Sequence, residues 1–220
     1  RLQKAGRAEA ALTQRFRETK PRFRDLAWDG DTVYLQSTVT ERWRRRAFGD
    51  WKGQLKKVGA TVVIAQFGKI ESLDGADRLE DFTKAYDQLI DHFSADGRRV
   101  VLLAPSPFEW AEVKGTALEA YSDAVEKLAA RRNLPFVRDL AAGVKPSAQL
   151  VAAVREKHRL WYEYWRPANW KCLFGDDSRR VFSNASQGLP SFKQEWSTYP
   201  DLIEKAEARV FAGQRPVTRK

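Results

Sequence analysis

Residues capable of chemistry follow the predicted strands of this chain, at the end where parallel sheets bind their ligands. Gly68, Glu71 and Ser72 lie in one stretch directly after a buried apolar run, and Gly30 lies in an earlier turn. A glycine allows a backbone N–H to approach a substrate oxygen, and a serine hydroxyl becomes a nucleophile when a base removes its proton. The sequence therefore predicts a ligand crevice formed by loops at the strand ends.

The elements that position these residues alternate between strand and helix. Strands are predicted at 61–65, 99–104 and 134–138, because these runs are short, apolar and bounded by turn residues. Helices are predicted over 79–93 and 117–130, where apolar residues recur at spacings of three and four. This alternation is typical of right-handed βαβ units and predicts a three-layer α/β domain with a parallel sheet, covered by helices on both faces.

The amino-terminal part of the chain adds further elements. An amphipathic helix is predicted over 2–16, a strand over 22–27 and a helical segment over 48–58. The apolar stripe of the first helix comprises Leu2, Ala5, Ala8, Leu12 and Phe16.

The character of the sequence changes after residue 145. Helices are predicted over 148–165 and 201–211, and the tryptophan-rich stretch between them has no regular period. We therefore expect an α/β domain at 1–145 and a helical, aromatic carboxy-terminal extension at 146–220 that packs on it.

Composition excludes several classes of protein. The chain has 220 residues and a formal charge of +10, but its cations occur as short doublets and triplets near predicted helix ends, which favours a solvated surface over a nucleic-acid site. The single cysteine, Cys172, excludes an internal disulfide and a cysteine-based metal cluster. No apolar stretch is long enough to span a membrane. Compartment and oligomeric state are left open by the sequence.

Five stretches together resemble the SGNH, or GDSL-type, hydrolases. They are D-L-A-W-D-G-D-T-V at 25–33, V-V-I-A-Q-F-G-K-I-E-S at 62–72, V-V-L-L-A-P-S-P-F-E at 100–109, K-H-R-L-W-Y-E-Y-W-R-P-A-N at 157–169 and L-F-G at 173–175. The last two resemble the extension of a bacterial branch of this family. The resemblance implies a flavodoxin-like α/β fold and hydrolysis of an acyl or acetyl ester. It also implies no cofactor or metal, and a small ester or an acylated carbohydrate as substrate.

The family's oxyanion donors can be carried over to single residues. Gly30 matches the glycine whose backbone N–H binds the oxyanion, and Gly68 matches the glycine of the third conserved block. Ile70 occupies the place of that block's asparagine and has no side-chain donor. Glu71 and Ser72 complete this loop.

Two blocks of the family pattern are missing from the sequence. The nucleophile block is expected before Leu2, and since the chain contains no Met, we expect that Arg1 is not its natural start. The Asp-x-x-His block is expected after Asp139, where neither of its residues occurs. The resemblance therefore implies an ester hydrolase domain that is impaired or incomplete as it stands.

Other residues are candidates to replace the missing nucleophile and base. His158 lies within an apolar stripe, which favours a hydrogen-bonded core histidine over a displaced base, and His92 flanks an apolar stripe near the surface. Ser72 and Ser106 stand at strand ends without a recognisable histidine partner. Carboxylates at strand ends could bind a metal or a sugar hydroxyl; these are Asp31, Glu71, Glu109 and Asp139.

The stretch Trp165-Arg166-Pro167 is interpreted as a structural clasp. An arginine between tryptophans can stack on an indole ring and bond backbone carbonyls, and so hold the extension in place. A different class of function remains open beside ester hydrolysis: a non-catalytic module that binds a carbohydrate or a protein through the crevice and the aromatic tail.

Overall fold

The structure is a computed structural model, and it describes residues 2–28, 30–34, 47–108, 117–179 and 187–212. Its strands are β1 (Val62–Ala65), β2 (Arg99–Leu103) and β3 (Phe136–Val137). Its α-helices are α1 (Leu2–Arg15), α2 (Trp51–Lys57), α3 (Leu79–Ser94), α4 (Leu118–Arg131), α5 (Ala148–Trp165), α6 (Trp170–Phe174), α7 (Phe192–Ser197) and α8 (Tyr199–Ala212). Short 3-10 helices occupy Arg17–Thr19, Glu71–Asp74, Ala76–Arg78, Ala95–Gly97 and Asp176–Arg179.

The three strands form a parallel sheet in the order β1-β2-β3. Val62 pairs with Arg99 at the start of β1, and Leu102 pairs with Phe136 across the other side of β2. Each strand is joined to the next through a helix, α3 and then α4, as the alternating pattern predicts. The α/β class and the parallel strands are thus confirmed.

Apolar residues at helical spacing build the core beside the sheet. On α3 the buried side chains are Phe82, Tyr86, Leu89, Ile90 and Phe93, and acidic Glu80 and Asp81 in the first turn complement the helix dipole. The Phe82 and Tyr121 rings join α3 to α4, with ring centroids 4.7 Å apart. This core fixes the direction in which the loop after β1 leaves the sheet.

The expectation that β1 is covered on both faces holds for one face. Ala65 is buried, whereas Val62 and Ile64 on the alternate face are 39% and 38% exposed. Side chains alternate between the two faces along a strand, so Val62 and Ile64 share the more exposed face of β1.

The chain divides into two compact units at different positions from the predicted boundary at 145/146. One unit is Ala27–Asp139, and the other joins Arg1–Leu26 to Leu140–Lys220. In the second of these, Ala10 of α1 packs with Leu150 and Val154 of α5 and with Val210 of α8. The first helix therefore belongs with the carboxy-terminal helices, because its buried face is completed by α5.

Two predicted features at the amino terminus are wrong in detail. Residues 22–27 are not a strand; the Trp161 indole N–H donates to the Asp25 carbonyl at 2.7 Å, so this segment bonds to a helix instead of a sheet. The buried face of α1 carries Glu9, Ala10 and Thr13, while Phe16 is exposed. Glu9 lies on the buried face because it pairs there with Lys157 and His158 of α5.

Candidate functional site

The candidate site lies in Ala27–Asp139, at the carboxyl ends of the three parallel strands. Gln66 follows β1, and its side-chain amide donates to the Ala104 carbonyl after β2 at 2.8 Å. Lys69 reaches the same second loop, where its ammonium donates to the Pro107 carbonyl at 3.0 Å and lies 5.0 Å from the centroid of the Phe108 ring. The loops after β1 and β2 are thereby joined into one edge of the sheet.

Glu71 connects this edge to the turn that contains Gly30. Its Oε1 accepts the Val33 N–H at 2.8 Å, and its Oε2 accepts the Gly68 N–H at 2.9 Å. The side chain is 2% exposed, so both hydrogen bonds are shielded from water. The structure thus brings together the two loops that the sequence singled out.

Gly68 is required by the shape of the loop. Its φ is +104°, and a Cβ built on it would lie 3.3 Å from Cζ of Phe82. The Gly68 N–H donates its hydrogen bond to the Glu71 carboxylate in this structure.

Gly30 occupies an open turn. Its φ is +81°, and among the residues that the structure describes none places an atom within 4 Å of the position that a Cβ would take. The Asp31 N–H donates to the Trp28 carbonyl across this turn at 3.3 Å. The space above Gly30 can therefore admit a ligand atom.

Ser72 faces inward. It is fully buried, and its hydroxyl donates to the Lys69 carbonyl at 2.8 Å. A hydroxyl held in this way stabilises the loop and does not face a substrate. Ser106, after β2, is half-buried.

Ile70 and Leu73 form the outward side of the same loop, 42% and 54% exposed. They are three residues apart, and the Leu73 N–H donates to the Ile70 carbonyl at 3.0 Å, so both side chains lie on one side of a tight turn. The position where the resemblance expects an asparagine therefore faces solvent at the sheet edge.

Burial raises the pKa of three tyrosines, Tyr34, Tyr86 and Tyr121, and the negative charge of Glu71 helps to raise it, a feature that the sequence analysis missed. Burial raises the pKa of Tyr86, and the negative charge of Glu71 raises it further. Burial also raises the pKa of Tyr121 to about 12, and its hydroxyl donates to the Gly75 carbonyl at 3.1 Å. Burial raises the pKa of Tyr34 as well. Helical spacing places Tyr86 and Tyr121 among the core residues, but it carries no information about their hydroxyl groups.

The two histidines serve different roles. His158 is buried, and its Nε2 lies 2.5 Å from Oε2 of Glu9, which confirms the interpretation as a hydrogen-bonded core histidine. Glu9 also pairs with the buried ammonium of Lys157. His92 is exposed on α3. Glu9 was missed because it lies outside the apolar stripe predicted for α1.

Arg166 contacts an aromatic ring and a carboxylate. Its guanidinium lies 4.9 Å from the centroid of the Tyr162 ring and 3.7 Å from a carboxylate oxygen of Asp25. Trp161 and Trp165 stack on each other, with centroids 5.4 Å apart. Arg166, which follows α5, is thus joined to the 20–26 segment through Asp25.

The carboxylates at the strand ends do not assemble into a metal centre in the described ranges. No group of three or more His, Cys, Asp or Glu side chains there could hold a metal ion. Both carboxylate oxygens of Glu71 accept hydrogen bonds from backbone N–H groups. Glu109 lies outside the described residues. Among the helices that the structure describes, none has the length and apolar character needed to cross a lipid bilayer.

Comparisons of this chain with protein-family models, with curated proteins and with solved structures find no match.

Proposed function

We propose that this chain forms the ligand-binding sheet edge of an SGNH-type ester hydrolase with a flavodoxin-like α/β fold. The observation that carries the proposal is the Glu71 carboxylate, which accepts hydrogen bonds from Val33 beside the turn of Gly30 and from Gly68 in the loop after β1. These are the two loops to which the resemblance assigns oxyanion donors. The substrate class is a small ester or an acylated carbohydrate.

The proposal requires a nucleophile and a base from outside the described residues. Ser72 is buried and bonded to the Lys69 carbonyl, and His158 is bonded to Glu9. Within the described ranges these residues do not form the serine–histidine pair that nucleophilic catalysis needs.

A non-catalytic binding module is the second candidate. The exposed apolar side chain of Ile70 favours it, because an isoleucine at this position adds contact surface for a ligand and no hydrogen-bond donor for an oxyanion. The ligand in this case is a carbohydrate or a protein partner that binds the same edge.

Turnover of a chromogenic acetyl ester tests the hydrolase proposal. The protein assayed is the longest natural polypeptide that contains these 220 residues. Gly30→Val adds a branched side chain over the donor and should lower kcat by about a hundredfold to a thousandfold. The matched control is Gly59→Val, because Gly59 also has positive φ and open space around it but lies before β1, at the opposite end of the strand.

Equal losses in both variants would show that backbone strain, and not the position of Gly30, lowers turnover. If the unmodified polypeptide shows no turnover, the hydrolase proposal is overturned. In that case, saturable binding of an acetylated oligosaccharide that is weakened by Ile70→Lys supports the binding module.

A further inference from the structure

Glu71 joins two loops that are distant in sequence. Its acceptor bond from the Val33 N–H spans 38 residues, and its other bond, from the Gly68 N–H, is local. A buried carboxylate needs such donors, because an ionised group without partners is costly to remove from water. The two N–H groups and the carboxylate therefore stabilise one another.

Several hydrogen bonds hold the loop that carries Glu71. The Ser72 N–H donates to the Gly68 carbonyl at 3.1 Å, and the Ser72 carbonyl accepts the Ala117 N–H at 3.1 Å. The Ser72 hydroxyl adds the bond to Lys69. These bonds fix the backbone on both sides of Glu71, so its carboxylate has a defined position.

The turn around Gly30 contains hydrogen bonds of its own. The Asp31 N–H donates to Trp28, and the Thr32 hydroxyl contacts the Tyr34 carbonyl at 3.3 Å. The bond from Val33 to Glu71 extends from this turn to the sheet edge. This bond therefore contributes to the location of the Gly30 turn relative to that edge.

We propose that Glu71 is a positioning residue that couples the Gly30 turn to the loop at 67–72 through its two backbone hydrogen bonds. Its functional consequence, the placement of Gly30 toward an ester, rests on the proposed function. The coupling itself does not. A purely local role, in which Glu71 only closes its own loop on Gly68, is the alternative.

Amide hydrogen exchange separates these two roles. Glu71→Met keeps the length of the side chain and removes both acceptors, and it should speed exchange at Val33 and the neighbouring amides of 30–34 by about tenfold to a hundredfold. The matched control is Ser72→Ala, which removes a hydrogen bond from the same loop without touching Val33. It should leave exchange at 30–34 unchanged. The proposal is overturned if Glu71→Met leaves exchange at 30–34 unchanged, or if both variants accelerate it equally.

A measurement on the unmodified chain covers the case in which Glu71→Met unfolds. Scalar couplings across hydrogen bonds should connect the Val33 and Gly68 amide nitrogens to the Glu71 carboxyl carbon. Coupling from Gly68 alone would establish the local role and overturn the proposal.

Ester turnover then tests the functional consequence. With an active polypeptide, Glu71→Met should lower kcat by at least tenfold with a smaller change in KM, and Ser72→Ala should lower kcat less. If no variant turns over ester, the proposed function fails, whereas the exchange and coupling results still decide the role of Glu71.

Discussion

At the residue scale, Ile70 stands where the resemblance to the SGNH hydrolases expects an asparagine that donates to an oxyanion. The neighbouring Gly68 and Glu71 keep the turn in place, but an isoleucine offers no side-chain N–H to a developing negative charge. Since the Ile70 side chain is 42% exposed, the fold does not depend on its apolar character.

We therefore predict that Ile70→Asn is tolerated and adds a donor. The free energy of unfolding should change by less than about 1 kcal/mol, as is usual for exposed positions. In an active polypeptide, ester turnover should rise by at least about tenfold, because one oxyanion donor is worth a hundredfold or more. Urea unfolding and ester hydrolysis measure the two effects.

The control for this prediction is Leu73→Asn, which places the same amide on the neighbouring exposed position of the turn. It should match Ile70→Asn in stability and leave turnover unchanged. A rise in both variants would assign the effect to a more polar loop instead of to a donor at position 70.

The candidate site could be predicted from sequence as a set of loop positions. Gly68, Glu71 and Ser72 follow an apolar run, so their location after β1 was predictable. That Glu71 binds Val33 was not, because this bond depends on how two distant loops meet. Ser72 was expected in the crevice and instead points inward, since local periodicity does not define the direction of a side chain in a loop.

At the element scale, ion pairs decide how the amino-terminal segment packs. Arg24 binds Glu207 of α8 in a bidentate manner, with N–O distances of 3.0 and 2.7 Å. Glu9 of α1 pairs with Lys157 and His158 of α5. Burial lowers the pKa of Lys157, and the adjacent charge of Glu9 opposes this effect.

Elements that pack through apolar side chains were predictable, and the segment that packs through ion pairs was not. Helix α5 was predicted with its correct bounds, and α3 to within one residue, because apolar side chains recur along them at helical spacing. The segment at 22–27 has a strand-like alternation, but its arginines serve to bind carboxylates on a helix. Sequence periodicity does not distinguish an alternation that forms a strand from one that places arginines beside carboxylates.

We predict that the Arg24–Glu207 pair weakens in acid. Burial acts to raise the pKa of Glu207, but the hydrogen bonds from Arg24 and the charges of Arg24, Lys157 and Arg22 outweigh it and lower the pKa below its ordinary value of 4.5. The stabilisation is therefore complete above about pH 4.5 and is lost as the pH falls through the lower pKa of the folded state. Urea unfolding between pH 7 and pH 3 measures this loss.

Glu207→Gln should flatten the stability profile in this acid range and lower stability at pH 7. Glu204→Gln provides the control on the same helix, because its side chain is exposed and lies 3.6 Å from Arg22. An unchanged acid profile in Glu207→Gln would contradict the prediction.

At the scale of the whole molecule, the chain forms a continuous unit, Ala27–Asp139, and a second unit made from its two ends. Each has its own buried residues, such as Leu128 in the first and Val154 in the second. The sequence indicated a boundary from composition alone, near residue 145. It could not indicate that α1 returns to the end of the chain, because that pairing is non-local.

We predict that the two units lose stability separately. Glu9→Ala removes the partner of buried Lys157 and should cost about 3 to 5 kcal/mol, with faster amide exchange along α5 and little change along β2. Leu128→Ala leaves a cavity in the other core and should cost about 2 to 5 kcal/mol, with the opposite pattern. Hydrogen exchange with residue-level assignment measures both patterns. Since buried contacts hold each unit together, uniform acceleration of both units by either variant would mean that the chain opens as a single cooperative body instead.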